Sequence, residues 1–296
     1  MLKHKCASLI LLLVMFHIEL FGQTTRQTEL FCGAELFYAD INFLRLYDVR
    51  VNATPGVKIH LKNDWQVAGQ VQIPLVNQGY AKRYNMVRLS MANVSKELHF
   101  NKSRQHLKIT AGFFGQERYG GDIRWMYPIK KWLMVNARLG VASQWALGFD
   151  FKGNTESYVE NDWAFFSILG ANAWLDKWNT EFRVSGGRYL HGDFGVEGEI
   201  ARHFKHCTVS VFMQYHERLT NTGGTNNTSG GFRAIIMIPP YRKYNRKVVV
   251  RPASNFRLTY NAQSNVYSMK KYNTDPEENE RTNAIHIPWG TDKFNE

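Results

Sequence analysis

Residues 178–204, WNTEFRVSGGRYLHGDFGVEGEIARHF, decide the fold of this chain. In the first half of this stretch Phe182 and Val184 alternate with polar residues, and in the second half Val196 and Ile200 do the same. A repeat of two residues is the period of a β-strand with one apolar and one polar face. Because the short connection at residues 191–193 contains a glycine, the stretch predicts a β-hairpin.

The same alternation recurs along most of the chain. It is clearest in residues 66–73, 87–91, 106–113, 122–129, 133–141, 209–214 and 232–238. Together with the hairpin, these segments predict an antiparallel all-β fold of about 12 strands, within a range of about 10 to 14. Two architectures produce this pattern. One is a soluble sandwich with a buried inner face, and the other is a transmembrane β-barrel with an apolar face toward lipid.

Three details favour the barrel over the sandwich. Several predicted strands have about ten residues or more, close to the roughly 9 to 11 that cross a bilayer at a tilt. Tryptophans lie at or near predicted strand ends, where an interfacial belt would place them: Trp65, Trp132, Trp163, Trp174 and Trp178. Short connections alternate with long polar ones, such as residues 149–162 and 218–229, as in periplasmic turns and external loops.

The chain divides into three predicted parts. Residues 1–22 have Lys3 and Lys5 before an apolar run and predict a secretory signal peptide. Residues 23–240 form the predicted barrel. Residues 241–296 are basic and then polar, and predict a periplasmic C-terminal extension with one more strand near residues 256–267.

The whole chain is basic, with a formal net charge of +12. In an exported protein, this charge favours anionic lipid or polysaccharide as a neighbour. Export itself excludes nucleic acid as a partner.

Three strings are the most distinctive part of the sequence. They are LKITAGFFGQERYGGDIRWMYPI at residues 107–129, GRYLHGDFGVEGEIARHF at 187–204 and GGFRAIIMIPP at 230–240. Together they resemble the YjbH family of outer-membrane β-barrels, which is associated with exopolysaccharide and group 4 capsule export. The resemblance covers about residues 51–267, and GRYLxGD is its specific part. It implies a location in the outer membrane of a diderm bacterium and a part in surface polysaccharide assembly or export. This chain lacks the extra segments of longer members.

Arg188 and Asp193 stand on either side of the turn in the GRYLxGD string. The glycines beside them permit close backbone approach, so the two side chains are expected to pair across the turn. We interpret the string as a structural corner held by an ion pair, and a ligand site is the alternative.

Charged residues on the polar faces of the strands define the candidate site. If the apolar faces meet lipid, these residues point into the interior: Asp122, Arg124, Arg138, Glu181, Arg183, Glu197, Glu199 and Arg233, with Arg88 and Lys108. Their mixed signs predict either an ion-pair lattice that stabilises the interior or a cation-lined conduit for an acidic glycan.

No catalytic or metal site stands out in the sequence, and no cofactor is expected. There is no Gly-x-Ser-x-Gly elbow and no supported Ser–His pairing. The spacing of the nearby histidines and cysteine matches no tetrahedral zinc pattern: His191, His203, His206 and Cys207. Cys32 and Cys207 either form a disulfide in an oxidising compartment or remain two unpaired thiols.

These observations lead to the expectation of a non-enzymatic outer-membrane barrel that takes part in exopolysaccharide or capsule assembly or export. Its expected partners are outer-membrane lipid, an anionic polysaccharide and periplasmic export or assembly proteins. Two alternatives stay open. One is a scaffolding barrel that binds partner proteins through its loops and tail, and the other is a soluble periplasmic carbohydrate-binding sandwich.

Overall fold

The computed structural model describes residues 25–39, 48–100, 104–217, 227–240, 246–261 and 269–277. The predicted signal peptide, residues 1–22, lies outside the described residues. Fifteen strands occur in the described ranges: β1 (Thr25–Ala39), β2 (Asp48–Leu61), β3 (Trp65–Gln78), β4 (Val87–Phe100), β5 (Gln105–Phe114), β6 (Arg118–Lys130), β7 (Leu133–Phe149), β8 (Thr155–Val159), β9 (Ala164–Leu175), β10 (Thr180–Arg188), β11 (Phe194–His203), β12 (Cys207–His216), β13 (Thr228–Met237), β14 (Val248–Pro252) and β15 (Asn255–Asn261). Three short 3-10 turns also occur, at Lys62–Asp64, Lys82–Asn85 and Asp176–Trp178. Within these ranges, no helix has both the length and the apolar character to cross a membrane.

All fifteen strands belong to one sheet, in the order β14-β1-β2-β3-β4-β5-β6-β7-β9-β10-β11-β12-β13-β15, with the short β8 added to β7. Neighbours are antiparallel except for β1 and β14. Most strands pair with the next strand in the chain, so the sheet is an up-and-down meander. This confirms the predicted all-β, mainly antiparallel class. The predicted hairpin is β10 and β11, which pair from Thr180↔Arg202 to Arg188↔Phe194.

The described strands form a single sheet, whereas the sandwich alternative needs two stacked sheets. A sandwich would also bury the apolar residues of the hairpin between its sheets. Val184, Val196 and Ile200 are instead 57%, 52% and 48% exposed. The apolar residues of this hairpin therefore face outward.

The two edges of the sheet come together in the last described strands. β14 pairs with β1, and β15, which follows after Ala253 and Ser254, pairs with β13. The Ala253 amide donates to the Cys32 carbonyl oxygen (2.8 Å), while the Ser254 carbonyl oxygen accepts from the Ile238 amide (2.9 Å). Two adjacent residues thus bond to opposite edges of the sheet.

The strand count is higher than the predicted range because the structure divides the final stretch and includes the short β8. β14 and β15 lie at residues 248–261, within the predicted C-terminal extension, 241–296. They are built into the same sheet as the predicted barrel segment, residues 23–240. If β14 and β15 are taken as two halves of one strand and β8 is set aside, thirteen strands follow one another around the sheet. In a meander with an odd number of strands, the first and last run in the same direction, as β1 and β14 do.

One face of the sheet is apolar and exposed. The other face is buried and carries the charged residues together with some apolar ones, and we call it the polar face. In β11, Phe194, Val196 and Ile200 are exposed, whereas Glu197 and Glu199 between them are only 6% and 5% exposed. Charged residues in water-soluble proteins are almost never this buried while large apolar neighbours stay exposed. The sheet therefore has the reverse of the usual arrangement.

Four of the five tryptophans expected in an interfacial belt are exposed: Trp65, Trp132, Trp163 and Trp178. Trp174 is buried, because it lies on the polar face of β9. Its ring centroid is 4.7 Å from that of His203. The tryptophan prediction is therefore wrong for Trp174.

The strands are connected at two opposite ends of the sheet, which differ in the length of the connections and in exposed charge. We call the end with the connections 62–64, 131–132, 176–179 and 204–206 the turn end. The end with the connections 79–86, 150–163 and 189–193 is the loop end. Exposed basic residues predominate at the turn end: Arg26, Lys62, Arg104, Lys130, Lys131, Lys177, Lys205, Arg246 and Lys247. Its exposed acids in the described ranges are Asp64 and Asp176. At the loop end the exposed charges are balanced: Lys82, Lys152, Arg188, Glu160, Asp162 and Glu217.

Candidate functional site

The polar face holds a buried carboxylate between two arginines. Asp122 on β6 is 1% exposed, and its Oδ1 accepts from Arg124 Nε at 3.0 Å. Its Oδ2 accepts from Arg138 Nε on the neighbouring β7 at 2.8 Å. Asp122 and Arg124 share a face because they are two residues apart on one strand. Asp122 is fully buried and would be unstable there without both arginines.

A second group of charges lies across β10, β11 and β13. Arg183 is directly opposite Glu199 in the strand register, and their side chains are 3.1 Å apart. Arg183 also pairs with Glu181 on its own strand. Arg233 bridges Glu197 (2.8 Å) and Glu199 (3.2 Å). Every carboxylate of this group therefore has an arginine partner.

A third group of charges lies near the loop end. Glu117 accepts from Arg83 (2.8 Å) and from Arg88. Three guanidinium groups lie close to the ring of Tyr84, with Arg50 Cζ 4.1 Å, Arg88 Cζ 4.5 Å and Arg83 Cζ 5.0 Å from its centroid. Such cation–π contacts add to the ion pairs.

A non-strand stretch near the C-terminus lies against this polar face. We call residues 269–277, MKKYNTDPE, the crossing segment. At its start the Met269 amide donates to Asp193 Oδ2 (2.6 Å), in the connection between β10 and β11. Near its end, Glu277 bonds to Arg251 on β14 (2.7 Å). The nine residues thus run from one part of the sheet to a distant one.

Tyr272 is the apolar anchor of the crossing segment and is fully buried. Its ring stacks on Phe114 at 5.1 Å and lies 5.4 Å from Phe166, centroid to centroid. Arg138 donates to the Tyr272 carbonyl oxygen (2.9 Å) and places its guanidinium 4.6 Å from the Tyr272 ring centroid. Tyr272 belongs to the same buried cluster as Tyr189. Tyr272 thus joins the crossing segment to the Asp122 group.

Two carboxylates anchor the other half of the crossing segment. Lys58 Nζ lies 2.6 Å from Asp275 and 2.9 Å from Glu277. Arg251 bonds to both oxygens of Glu277 and also to Glu29 (2.9 Å). Burial alone would raise the pKa of Glu277, but hydrogen bonds from Arg251 and the charge of Lys58 lower it to about 2. Burial opposes ionisation of Asp275 as well, yet Lys58 and Lys108 hold its pKa far below the usual range.

Sequence reasoning singled out Arg124, Arg138 and Asp193, which bond to the crossing segment, but it missed the segment itself and Lys58. Lys58 stands between Val57 and Ile59, so the rule of alternation that identified Arg183 would also have identified it. No such signal exists for Tyr272 or Asp275, because the crossing segment has no period.

Of the twelve charged residues singled out in the sequence, eleven lie on the buried side of the sheet and Arg188 does not. The expected ion pair between Arg188 and Asp193 does not form. Arg188 continues the row of Phe182 and Val184 on the apolar face and is exposed, since these residues are two apart. Asp193 is 1% exposed and bonds to the crossing segment. The GRYLxGD turn therefore fixes the start of that segment.

Two histidines bond to carboxylates of the buried face: His203 to Glu181 and His60 to Glu29 (both 3.1 Å). Cys32 and Cys207 are both free thiols. His203 also bonds to Thr208 (3.1 Å). In the described ranges, no group of three or more His, Cys, Asp or Glu has an arrangement that could hold a metal ion.

Comparison with known proteins gives no relative for this chain. No protein-family model matches it, and no curated protein or solved structure does either.

Proposed function

We propose that this protein is a β-barrel of the outer membrane of a diderm bacterium. Its interior is filled by the ion-pair network and the crossing segment, and its role in surface polysaccharide assembly or export is non-enzymatic. The observation that carries the membrane proposal is a single sheet with an exposed apolar face, a buried charged face and edges that meet.

Closure into a barrel is supported by the bonds at Ala253 and Ser254. A flat sheet would separate β1 from β13 by eleven strand spacings of about 4.8 Å, or about 53 Å. Two adjacent residues bond to both edges, which supports a sheet that curves around on itself. A closed sheet has no free edge in lipid, as a membrane requires.

The dimensions of the sheet suit a bilayer. On the apolar face of β9, Phe165, Leu169 and Leu175 are 46%, 69% and 39% exposed. The ten residue steps from Phe165 to Leu175 measure about 33 Å along the strand, and a tilt of about 40° reduces this to about 25 Å of height. This is the height of the apolar band of an outer-membrane barrel.

The interior is too narrow for a wide channel. Thirteen tilted strands give a circumference of about 80 Å and a backbone diameter of about 26 Å. Inward side chains occupy about 5 Å on each wall, which leaves a width comparable to one extended chain with its side chains. The crossing segment lies in that space. The arginines near it are paired with carboxylates, which favours the ion-pair lattice over the cation-lined conduit.

The turn end fits the periplasmic side, where outer-membrane barrels have short turns. Its basic residues and exposed tryptophans would then lie at the phospholipid headgroups, where both are favourable. The polysaccharide part of the proposal rests on the resemblance of three sequence strings to the YjbH family. A scaffolding barrel that binds partner proteins is the second candidate, and the filled interior favours it, since a filled barrel acts through its surfaces.

Carbonate washing of membranes tests the location. The chain is expected to stay with the membrane and to migrate differently in gels before and after heating, and its release into the supernatant would refute the barrel. Deletion of the gene, with measurement of surface polysaccharide, and deletion of residues 241–296 from a tagged chain, with measurement of co-purifying proteins, separate the two roles. Loss of polysaccharide supports the first role, and an unchanged surface with lost partners supports the second.

A further inference from the structure

We propose that the polar face of the sheet is a binding groove for an extended peptide with an acidic second half. In the resting protein the chain's own crossing segment occupies it. The groove would accept such a peptide in trans once the crossing segment leaves. This inference goes beyond the proposed function, because it needs neither a membrane nor a polysaccharide.

The groove binds the main chain of the crossing segment. Three consecutive carbonyl oxygens, of residues 272–274, accept from Arg138 (2.9 Å), the Gly115 amide (2.9 Å) and Asn93 (3.0 Å). Main-chain bonds of this kind select an extended backbone rather than a particular sequence. These three hydrogen bonds explain how the crossing segment is held against the sheet although it is not a strand.

Side-chain positions supply the selectivity. The pocket between Phe114 and Phe166 takes the aromatic ring of Tyr272. Arg124 donates to the hydroxyl of Thr274, two residues further on (2.8 Å). The groove thus selects a peptide with an aromatic residue followed, two positions later, by a residue with a hydroxyl group.

Charge gives the groove its preference for acids. Around Asp275 and Glu277 the sheet presents the cations Lys58, Lys108 and Arg251 and the carboxylates Glu29 and Glu97. Removal of the crossing segment would leave three cations facing two carboxylates. An acidic ligand restores the balance in a buried setting, where an unpaired charge is strongly unfavourable.

The crossing segment can leave without breaking the sheet. None of its nine residues joins a ladder of paired strands. Its contacts are side-chain contacts and isolated hydrogen bonds, which define a cooperative unit smaller than the whole fold. Release of the segment is therefore expected to precede unfolding of the strands.

Trypsin tests this inference on the full chain in detergent, because Lys271 is inside the crossing segment and is cleaved only when the segment leaves the groove. The double variant Asp275→Asn/Glu277→Gln is expected to be cleaved after Lys271 at least about tenfold faster than the wild type. The matched control Glu160→Gln/Asp162→Asn removes two acids from an exposed connection and is expected to show the wild-type rate. Equal rates in the two variants would overturn the proposal.

A labelled peptide tests the groove directly. A fluorescein-labelled peptide of residues 268–278, SMKKYNTDPEE, is expected to bind the Asp275→Asn/Glu277→Gln chain and not the wild type, whose groove is filled. The same peptide with Asn and Gln at its two anchoring acids is expected to bind at least about tenfold more weakly. No binding of the acidic peptide to a variant that remains folded in the gel-shift assay would overturn the proposal.

If the double variant does not fold, hydrogen exchange on the wild type decides the matter. The Gly115 amide donates to Asn273 of the segment, and the Met269 amide of the segment donates to Asp193. Both bonds break when the segment leaves, so these amides are expected to exchange together and faster than the amides of β6. Exchange of all three at the rate of global unfolding would show a fixed segment and overturn the proposal. None of these measurements uses a membrane, so their failure is distinguishable from failure of the proposed function.

Discussion

Gly140 on β7 gives the sharpest test of how the crossing segment is seated. A Cβ added at Gly140 would collide with the hydroxyl oxygen of Tyr272 and lie 3.2 Å from its Cζ and 3.3 Å from Asp122 Oδ2. Tyr272 cannot move aside freely, because its ring stacks on Phe114 and contacts Phe166. The main effect of the variant Gly140→Ala is therefore on the seated segment, and a weaker one is on the Asp122 carboxylate.

The size of the effect follows from overpacking. A methyl group forced into a filled site costs about 1–3 kcal/mol. Since about 1.4 kcal/mol is a factor of ten, the released fraction of the segment should rise about 5- to 150-fold in Gly140→Ala. The trypsin cleavage rate after Lys271 should rise by the same factor while opening is fast relative to cleavage.

Two variants make the test specific. Gly198 on β11 is on the exposed apolar face, with no atom near its added Cβ, so Gly198→Ala should leave cleavage after Lys271 unchanged. Tyr272→Phe removes the colliding oxygen, so the double variant Gly140→Ala/Tyr272→Phe should be cleaved within about threefold of Tyr272→Phe alone. A wild-type cleavage rate in Gly140→Ala, or no suppression in the double variant, would refute the seating described here.

Three further predictions concern charge and orientation. The pKa of Glu277 is lowered to about 2 when the segment is seated, so its ionisation stabilises seating above about pH 4.5, and this stabilisation is lost as the pH falls toward 2. The labelled peptide should therefore dissociate over that range by fluorescence polarisation, and less steeply with Gln in place of Glu277. Asp122→Asn leaves two buried arginines without their carboxylate and should lower the free energy of unfolding in urea by about 3–5 kcal/mol, whereas the exposed Arg188→Gln should change it by at most about 0.5 kcal/mol. Val211→Arg, at a position 57% exposed on the apolar face, should destabilise folding into lipid vesicles by about 2–4 kcal/mol, and a stability equal to wild type would contradict a lipid-facing position.

The alternation of residue types made much of the sheet predictable. The positions of Glu197, Glu199 and Arg183 follow from the period of two, because a strand presents every second residue to the same face. The same period, applied to Arg188, would have placed it beside Val184 on the apolar face. The expected ion pair of Arg188 with Asp193 rested instead on their closeness in the sequence. Closeness across a turn does not determine the face on which a side chain lies.

The crossing segment could not be predicted in this way. Tyr272, Asp275 and Glu277 belong to a short polar stretch, and two of its partners, Arg138 and Lys58, are more than a hundred residues away in the chain. No local pattern encodes such a contact. Only the curvature of the whole sheet brings these residues together.

The parallel seam between β1 and β14 has a consequence for biogenesis. β1 is made early, but Val248, the partner of Thr28, is made more than two hundred residues later. Until then β1 has an open edge on that side, which can template wrong pairing with other chains. Closing a contact of such long sequence separation is also slow. The same late portion of the chain pairs with β1 and supplies the crossing segment that occupies the groove. A polypeptide released before that point would therefore have both an unpaired β1 edge and an empty groove. Quality-control proteases could recognise these two defects together.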